Sequence, residues 1–397
     1  MRAWKPDLLS ALLAVAALSL GAAEPVNEWR PVTCDSAKPY RGPKLHAPPG
    51  SPVFKKAAGA LDGSLDSATI GRLEAALKKA VEATKAPSMT VAVGVPGQGS
   101  WTRTTNRGTE TNSLMPRWFW FASVGKAFTA VVVQQLVEEK KLKLDAKLAR
   151  WFPDYPNAGI ITIDHLLAHT SGIYSFQSDP VLRASPGYKS PEELISTARS
   201  HGNGFCPGEY WSYSNTGYVM LGRIIEQIDG RPFHEAVTAR IIDPLGLKNT
   251  RALAPREHLS DLAPGHPSDP KETLAETPTT PFAAGNIVSR ADDMVKFWHA
   301  LLSGRLLKLE TVRGQFRSLY PMFDQGTFYG RGVMLYDVPT PQGDRLTWLG
   351  HSGGAPGFKA ILIYSIDADA YVSVALNNDG SAEATASLLL RALRSSE

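Results

Sequence analysis

Cysteine is scarce in this chain: 397 residues carry only two, Cys34 and Cys206, so at most one intramolecular disulfide is available. The pair could bridge or remain two thiols, and sequence alone does not establish that they meet. Long apolar runs are lacking too. The run from Leu8 to Leu20 is too short to span a bilayer. With Arg2 and Lys5 ahead of it and Gly21-Ala22-Ala23 behind, it reads as an export signal over residues 1–23. No cysteine stands at that cut to invite a lipid, so the mature chain is expected to be periplasmic or secreted, without a transmembrane anchor. Concentrated charge is also absent. The formal net charge is +4, and no basic run or basic-aromatic stripe occurs, which argues against a nucleic-acid partner.

Acidic residues are missing where a metal would need them. His165 and His169 lie four apart in a stretch of helical pattern, a spacing that can hold zinc. The glutamate of the His-Glu-x-x-His pattern is absent, however, and no cysteine or acidic cluster lies nearby. The pair is expected to pack at the close of a helix, and no metal is expected.

What the chain does contain is enough apolar sequence for one large globular unit, 43% hydrophobic against 20% charged, arranged in two lobes. Residues 24–64 are rich in Pro and Gly and read as an extended arm without chemistry. Leu73, Leu77 and Val81, with Ala76 and Ala80 beside them, mark a helix that ends at Pro87. Met89 to Val95 alternates as a strand, as do Ala360 to Ile366 and Ala370 to Leu376 around the turn Asp367-Ala368-Asp369; Ala382 to Arg394 closes as a helix. Strands at both ends with helical sequence between them predict an α+β fold. Its antiparallel sheet comes from the two termini, is flanked by helices, and receives a mainly helical insert. The catalytic unit is expected over 65–397, with a sheet lobe at about 65–122 and 286–397 and a helical lobe at about 123–285. Within the latter, Ile163 to Ala168 and Gly217 to Ile228 are helical patterns. The long loops Ser175 to Ser190 and Leu253 to Pro281 are of the kind that carries binding residues.

The stretch Phe121 to Leu136 organises the chemistry. Ser123 and Lys126 lie three apart at the start of an apolar helix, so their side chains share a face. A serine hydroxyl is a weak nucleophile until a neighbour takes its proton, and a suitably placed lysine can do so. Ser268-Asp269-Pro270-Lys271 matches the same spacing, but its prolines forbid a helical face. The backbone N–H groups at a helix start also suit a developing oxyanion.

Pro207 to Tyr218 is a Gly- and Ser-rich loop entering a helix. In an extended segment Tyr213 and Asn215 would face one cleft. There a nearby ammonium would favour the ionised phenol as a proton shuttle, and Asn215 would bind a substrate carbonyl or orient Lys126. Tyr155-Pro156-Asn157 matches this short pattern as well. Gly350-His351-Ser352-Gly353-Gly354 fits the Gly-x-Ser-x-Gly elbow and offers Ser352 as a rival nucleophile. Pro356 and glycines follow it instead of a helix, and no histidine lies downstream of His351. As a strand edge, its glycines would let a substrate approach the backbone, with the Gly354 N–H joining that of Ser123 in an oxyanion hole.

Read in order, Ser123-Val124-Gly125-Lys126, Tyr213-Ser214-Asn215 and His351-Ser352-Gly353 resemble the motifs of the penicillin-recognising serine hydrolases, the class C β-lactamase and DD-peptidase family, and the resemblance extends from about Ser67 onward. It implies a two-lobed β-lactamase/transpeptidase-like fold and no metal or organic cofactor. By position it implies a Ser123 acyl-enzyme, proton transfer by Lys126 and Tyr213, and substrate contact by Asn215, His351, Ser352 and Gly353. Gly354 would supply an oxyanion N–H. His351 would stand where the β-lactamases hold lysine and give a substrate carboxylate only partial positive charge near neutral pH. That counts against an efficient β-lactamase. A carboxypeptidase would want a firmer cation, with Arg331 or Arg345 as candidates. The expected activity is that of an exported D-alanyl-D-alanine carboxypeptidase-like amidohydrolase acting on a small-molecule or peptide substrate. That substrate would be a D-alanyl peptide of peptidoglycan or a β-lactam. The alternatives are a carboxylesterase on small acyl esters, a weak class C-like β-lactamase, or a catalytically silent cell-wall-binding protein.

Overall fold

A strand that alternates apolar and polar residues usually has one wet face, but all eight residues of β1, Ser88–Val95, are buried. The cause is a layer of helix on each side. Met89, Val91 and Val93 share a core with Leu73 and Leu77 of helix α1 (Ser67–Thr84) and with Leu389 of the closing helix (Ala382–Arg394). On the other face, the Thr90 hydroxyl accepts from the N–H of Ala291, which opens the Ala291–Leu302 helix. Gly94 stands where a Cβ would lie 3.1 Å from Val295 of that helix.

The computed structural model describes residues 29–106, 118–269, 277–323, 326–339 and 345–394. The expected export signal and the lysine of the Ser268-to-Lys271 stretch lie outside these residues. Helix α1 is capped by Asp66, whose carboxylate accepts from Thr69 N at 2.9 Å. It ends at Thr84, before the expected Pro87, because Lys85 turns into the left-handed region (φ 54°) and closes the last turn.

Among the described residues the main sheet has eight strands, and every pairing in it is antiparallel. Its strands are β1, β2 (Gly99–Asn106), β6 (Tyr320–Pro321), β7 (Thr327–Tyr329), β8 (Met334–Pro339), β9 (Arg345–Ala355), β10 (Phe358–Ser365) and β11 (Ala370–Leu376). They lie in the order β2-β1-β11-β10-β9-β8-β7-β6, so the two ends of the chain meet at β1 and β11. A smaller sheet joins β3 (Phe119–Trp120), β5 (Ile287–Ser289) and β4 (Thr250–Ala252) in the order β3-β5-β4. The glycine motif, read as a strand edge, lies inside β9. Strand β8 pairs with β9 from Arg345 to Gly350 and stops, so His351 to Ala355 keep only β10 as a strand neighbour among the described residues.

The apolar stretch after Ser123 forms helix α2, Gly125–Glu138, which is buried nearly all round. This explains its lack of a polar stripe. Phe128 stacks on Phe297 at 3.8 Å between ring centroids, and burial of one such side chain contributes about 1.5–3 kcal/mol. Helix α3, Ile163–Leu167, begins with a reciprocal cap between Thr162 and His165. Helix α4, Asn215–Asp229, begins after Ser214 and ends at Gly230, which takes φ 73°.

The described part of the arm holds more structure than its composition suggested. Ser51–Ala57 is helical, with Phe54 and Ala57 buried. Upstream, Val32, Lys38 and Arg41 donate backbone N–H groups to the carbonyls of Asn203, Pro207 and Glu209 at 2.8–2.9 Å. Cys34 is joined to Cys206 by a disulfide, with 5.7 Å between the Cα atoms. The arm is thereby stitched to the loop that leads to Tyr213.

Candidate active site

Ser123 sits in a 3₁₀ turn, Ala122–Val124, immediately before α2. The turn is strained. Ala122 takes φ 45°, a left-handed conformation costly for any residue with a Cβ. Long-range contacts hold it there: Phe121 N donates to Ile287 O at 3.1 Å, and the Trp120 indole donates to Gly285 O at 2.6 Å. Strand β9 presses on the same turn. A Cβ at Gly353 would overlap Phe121 O and lie 2.9 Å from Ser123 N, so only glycine lets the strand come this close.

The spacing argument for the serine and lysine holds in three dimensions although Ser123 precedes the α-helix. Lys126, fully buried, donates from Nζ to Ser123 Oγ at 3.0 Å and to Ala284 O at 2.8 Å. The ammonium also lies over the faces of Tyr213 (4.8 Å to the centroid) and Tyr218 (5.5 Å). The Tyr213 phenol lies beside the Ser123 hydroxyl. Its own pKa is raised above the ordinary tyrosine value, chiefly by desolvation, with the Ser123 hydroxyl opposing. The expected phenolate is therefore corrected: loss of water outweighs the nearby ammonium, and Tyr213 rests as a neutral phenol that can pass a proton on.

Asn215 is the first residue of α4 and not part of an extended segment. Its N–H donates to Ser175 Oγ at 3.2 Å and its amide to Gln177 Oε1. The pair brings together two amides, one from the start of α4 and one from the 175–190 segment. Gln177 went unnoticed in sequence, although it lies in the loop 175–190 already marked as a place for binding residues.

His351 differs most from expectation. It is fully buried, and burial, followed by the charge of Lys126, lowers its pKa to about 3. In the neutral ring Nδ1–H donates to Ser352 O at 2.6 Å and Nε2 accepts from the Tyr329 hydroxyl at 3.1 Å. It offers no charge to a substrate, because burial keeps the ring neutral. The two arginine candidates are also engaged elsewhere. Arg331 forks onto Asp164 at 2.5 and 2.9 Å, and Arg345 pairs with Asp337 at 2.6 Å. Ser352 is half-buried with its hydroxyl toward Met334 Sδ at 3.7 Å. Gly354 is exposed on the part of β9 that runs past β8.

The remaining features could not be read from motif spacing. His165 accepts from Thr162 N at Nδ1 (3.2 Å), and His169 accepts from Ser214 N at Nδ1 (3.1 Å), so the two rings do separate structural work. No group of three or more metal-binding side chains occurs among the described residues. An aromatic wall flanks the nucleophile. Phe323, 76% exposed, meets Trp211 edge-on at 5.6 Å and Tyr213 at 6.3 Å.

The sequence matches the Beta-lactamase family over residues 73–395. It is 30% identical to Penicillin-binding protein 4* of Bacillus subtilis, over 66% of this chain and 60% of that protein, and thus spans about three-fifths of that relative's length. Over a third of the chain and 37% of the relative, it is 32% identical to Esterase EstB of Burkholderia gladioli. The solved structure of D-amino acid amidase from Ochrobactrum anthropi superposes with a TM-score of 0.73 at 27% identity, covering 83% of this chain and 99% of that one. With the family model matching most of its length and a solved structure superposing on its fold, the chain belongs to the beta-lactamase family and has the β-lactamase/transpeptidase-like fold.

Proposed function

We propose that the protein is a serine hydrolase that cleaves amides or esters through a Ser123 acyl-enzyme. One observation carries the reading: Lys126 Nζ lies 3.0 Å from the Ser123 hydroxyl, with the Tyr213 ring 4.8 Å from the same Nζ. Lys126 first releases its ammonium proton; Ser123 Oγ then attacks the substrate carbonyl carbon as its own proton passes to the free Lys126 amine, the Tyr213 phenol staying neutral. The Lys126–Tyr213 pair then protonates the departing amine or alcohol as the C–N or C–O bond breaks. Water cleaves the ester by the reverse route. The N–H groups of Ser123 and Gly354 are assigned to the oxyanion, and the substrate lies extended along His351 to Ala355 as an added strand. Asn215 and Gln177 are assigned to the polar group on its acyl side.

The leaving group decides between readings. A carboxypeptidase must bind a terminal carboxylate, yet His351 is neutral and buried and both Arg331 and Arg345 are committed to carboxylates. These facts favour a D-amino acid amide, or an ester, whose leaving group bears no carboxylate, over the carboxypeptidase expected from sequence. Likeness to D-amino acid amidase supports the same choice. Export is proposed on the Leu8 to Leu20 pattern together with the Cys34–Cys206 disulfide, a bond that persists in oxidising compartments.

The test is turnover of D-alanine amide, a short-chain nitrophenyl ester and a peptide ending in D-alanyl-D-alanine by the parent, Ser123→Ala and Lys126→Met. The amide and ester should be cleaved faster than the peptide, and both variants should lose activity together. An unchanged Ser123→Ala rate would sink the acyl-enzyme. Preference for the free-carboxylate peptide would overturn the leaving-group assignment.

A further inference from the structure

His169 lies beneath the acyl-transfer residues, 1% exposed, in a backbone conformation that side-chain-bearing residues rarely adopt (φ 59°). A residue stays in that conformation when surrounding bonds over-determine it, and here two such bonds bracket one position. Ser212 N donates to the His169 carbonyl at 3.0 Å, and Ser214 N donates to the His169 ring at Nδ1, at 3.1 Å. Tyr213 stands between them. The ring itself lies 4.2 Å from the Tyr213 ring, tilted by 37°, and also touches Tyr329 at 4.5 Å and Tyr218 at 5.1 Å. Since Nδ1 accepts, the proton of the neutral ring is on Nε2, which is buried and has no hydrogen-bond partner among the described residues. Desolvation, then the charge of Lys126, keep the ring neutral, which is the state that leaves Nδ1 able to accept.

We propose that His169 is a positioning residue for proton transfer. Its carbonyl and its Nδ1 hold the peptide N–H groups on either side of Tyr213, and its ring forms the floor under the phenol, so that the hydroxyl stays on Ser123. The inference rests on the reading of Tyr213 as a proton carrier. The unusual backbone angle follows from the role: it turns the carbonyl and side chain of one residue toward the same loop. A residue that merely filled space would need neither bond.

Substitutions separate the two ring nitrogens. In His169→Asn the amide oxygen takes the place of Nδ1, and asparagine tolerates the left-handed backbone. In His169→Gln the amide reaches toward the place of Nε2 and leaves Ser214 N without its acceptor. Both, with His169→Ala, are made in the parent and in Tyr213→Phe, and kcat and KM are measured on the nitrophenyl ester beside thermal unfolding. The Gln and Ala variants should lower kcat by about tenfold or more with KM within about twofold, whereas Asn should retain most of kcat. In the Tyr213→Phe background all three should lie within about twofold of Tyr213→Phe itself, because a residue acting through Tyr213 has nothing left to position. Equal losses in both backgrounds, or Asn no better than Gln, would overturn the proposal. Should His169→Ala fail to fold, the Asn and Gln pair still decides. A fully active Tyr213→Phe would remove the proton-carrier reading and this inference with it; a slow Tyr213→Phe with additive His169 losses would remove this inference alone.

Discussion

Gly353→Ala adds one methyl group, and the structure says where it goes. The new Cβ would overlap Phe121 O and lie 2.9 Å from Ser123 N and 3.1 Å from Val124 N, where carbon normally keeps about 3.5 Å or more. All three neighbours are backbone atoms of a turn already pinned by Ile287 and Gly285, so no side chain can swing away. Either β9 or the Ser123 turn must retreat by more than about half an ångström. Overpacking of this kind costs about 1–3 kcal/mol, and displacement approaching 1 Å at a reacting centre costs on the order of a hundredfold in rate. Gly71→Ala is the matched control, because nothing lies within 4 Å of a Cβ there. Being inside α1, it should stabilise the protein by about 0.5–1 kcal/mol. Ester kcat/KM and urea unfolding should show Gly353→Ala losing both activity and stability while Gly71→Ala keeps the first and gains slightly in the second. Parental kcat/KM in Gly353→Ala would refute the tight contact between β9 and the nucleophile turn.

Acid should destabilise the fold through its two buried histidines. The folded pKa of His351 is depressed to about 3 and that of His169 is well below its ordinary value, so between about pH 6.5 and 3 the unfolded chain binds more protons and stability falls as pH falls. Each histidine contributes up to about 1.4 kcal/mol per pH unit, and His351→Gln should remove up to one proton from the measured slope; an unchanged slope between pH 4 and 6 would refute the burial argument. Reducing the Cys34–Cys206 disulfide, whose partners are 172 residues apart, should cost about 2–4 kcal/mol. Coincident unfolding curves with and without reductant would show that the arm adds nothing.

Much of the architecture was legible because it repeats locally. The four-residue steps of Leu73 and Leu77, the alternation of Met89 to Val95 and the apolar run after Ser123 each identify an element from a dozen residues. Their partners are not so encoded. The arm looked featureless because its backbone bonds go to residues 203–209, about 170 positions away. Gln177 had no motif of its own, and only the fold sets it against Asn215. His169 was visible as half of a histidine pair, but its work lies with Ser212 and Ser214, more than 40 residues downstream.

The sequence by itself paired the proposed nucleophile with its partner: a hydroxyl and an amine three residues apart share one face of a helical turn, so Ser123 and Lys126 needed no tertiary information to be brought together. Tertiary structure alone decided what charges the site offers. Burial is a property of everything packed around a group, and it held Tyr213 as a phenol and His351 as an uncharged ring where local reasoning assigned each a share of charge. The same long-range packing committed Arg331 and Arg345 to Asp164 and Asp337, and with that moved the favoured leaving group from an amine bearing a carboxylate to an amine or alcohol without one.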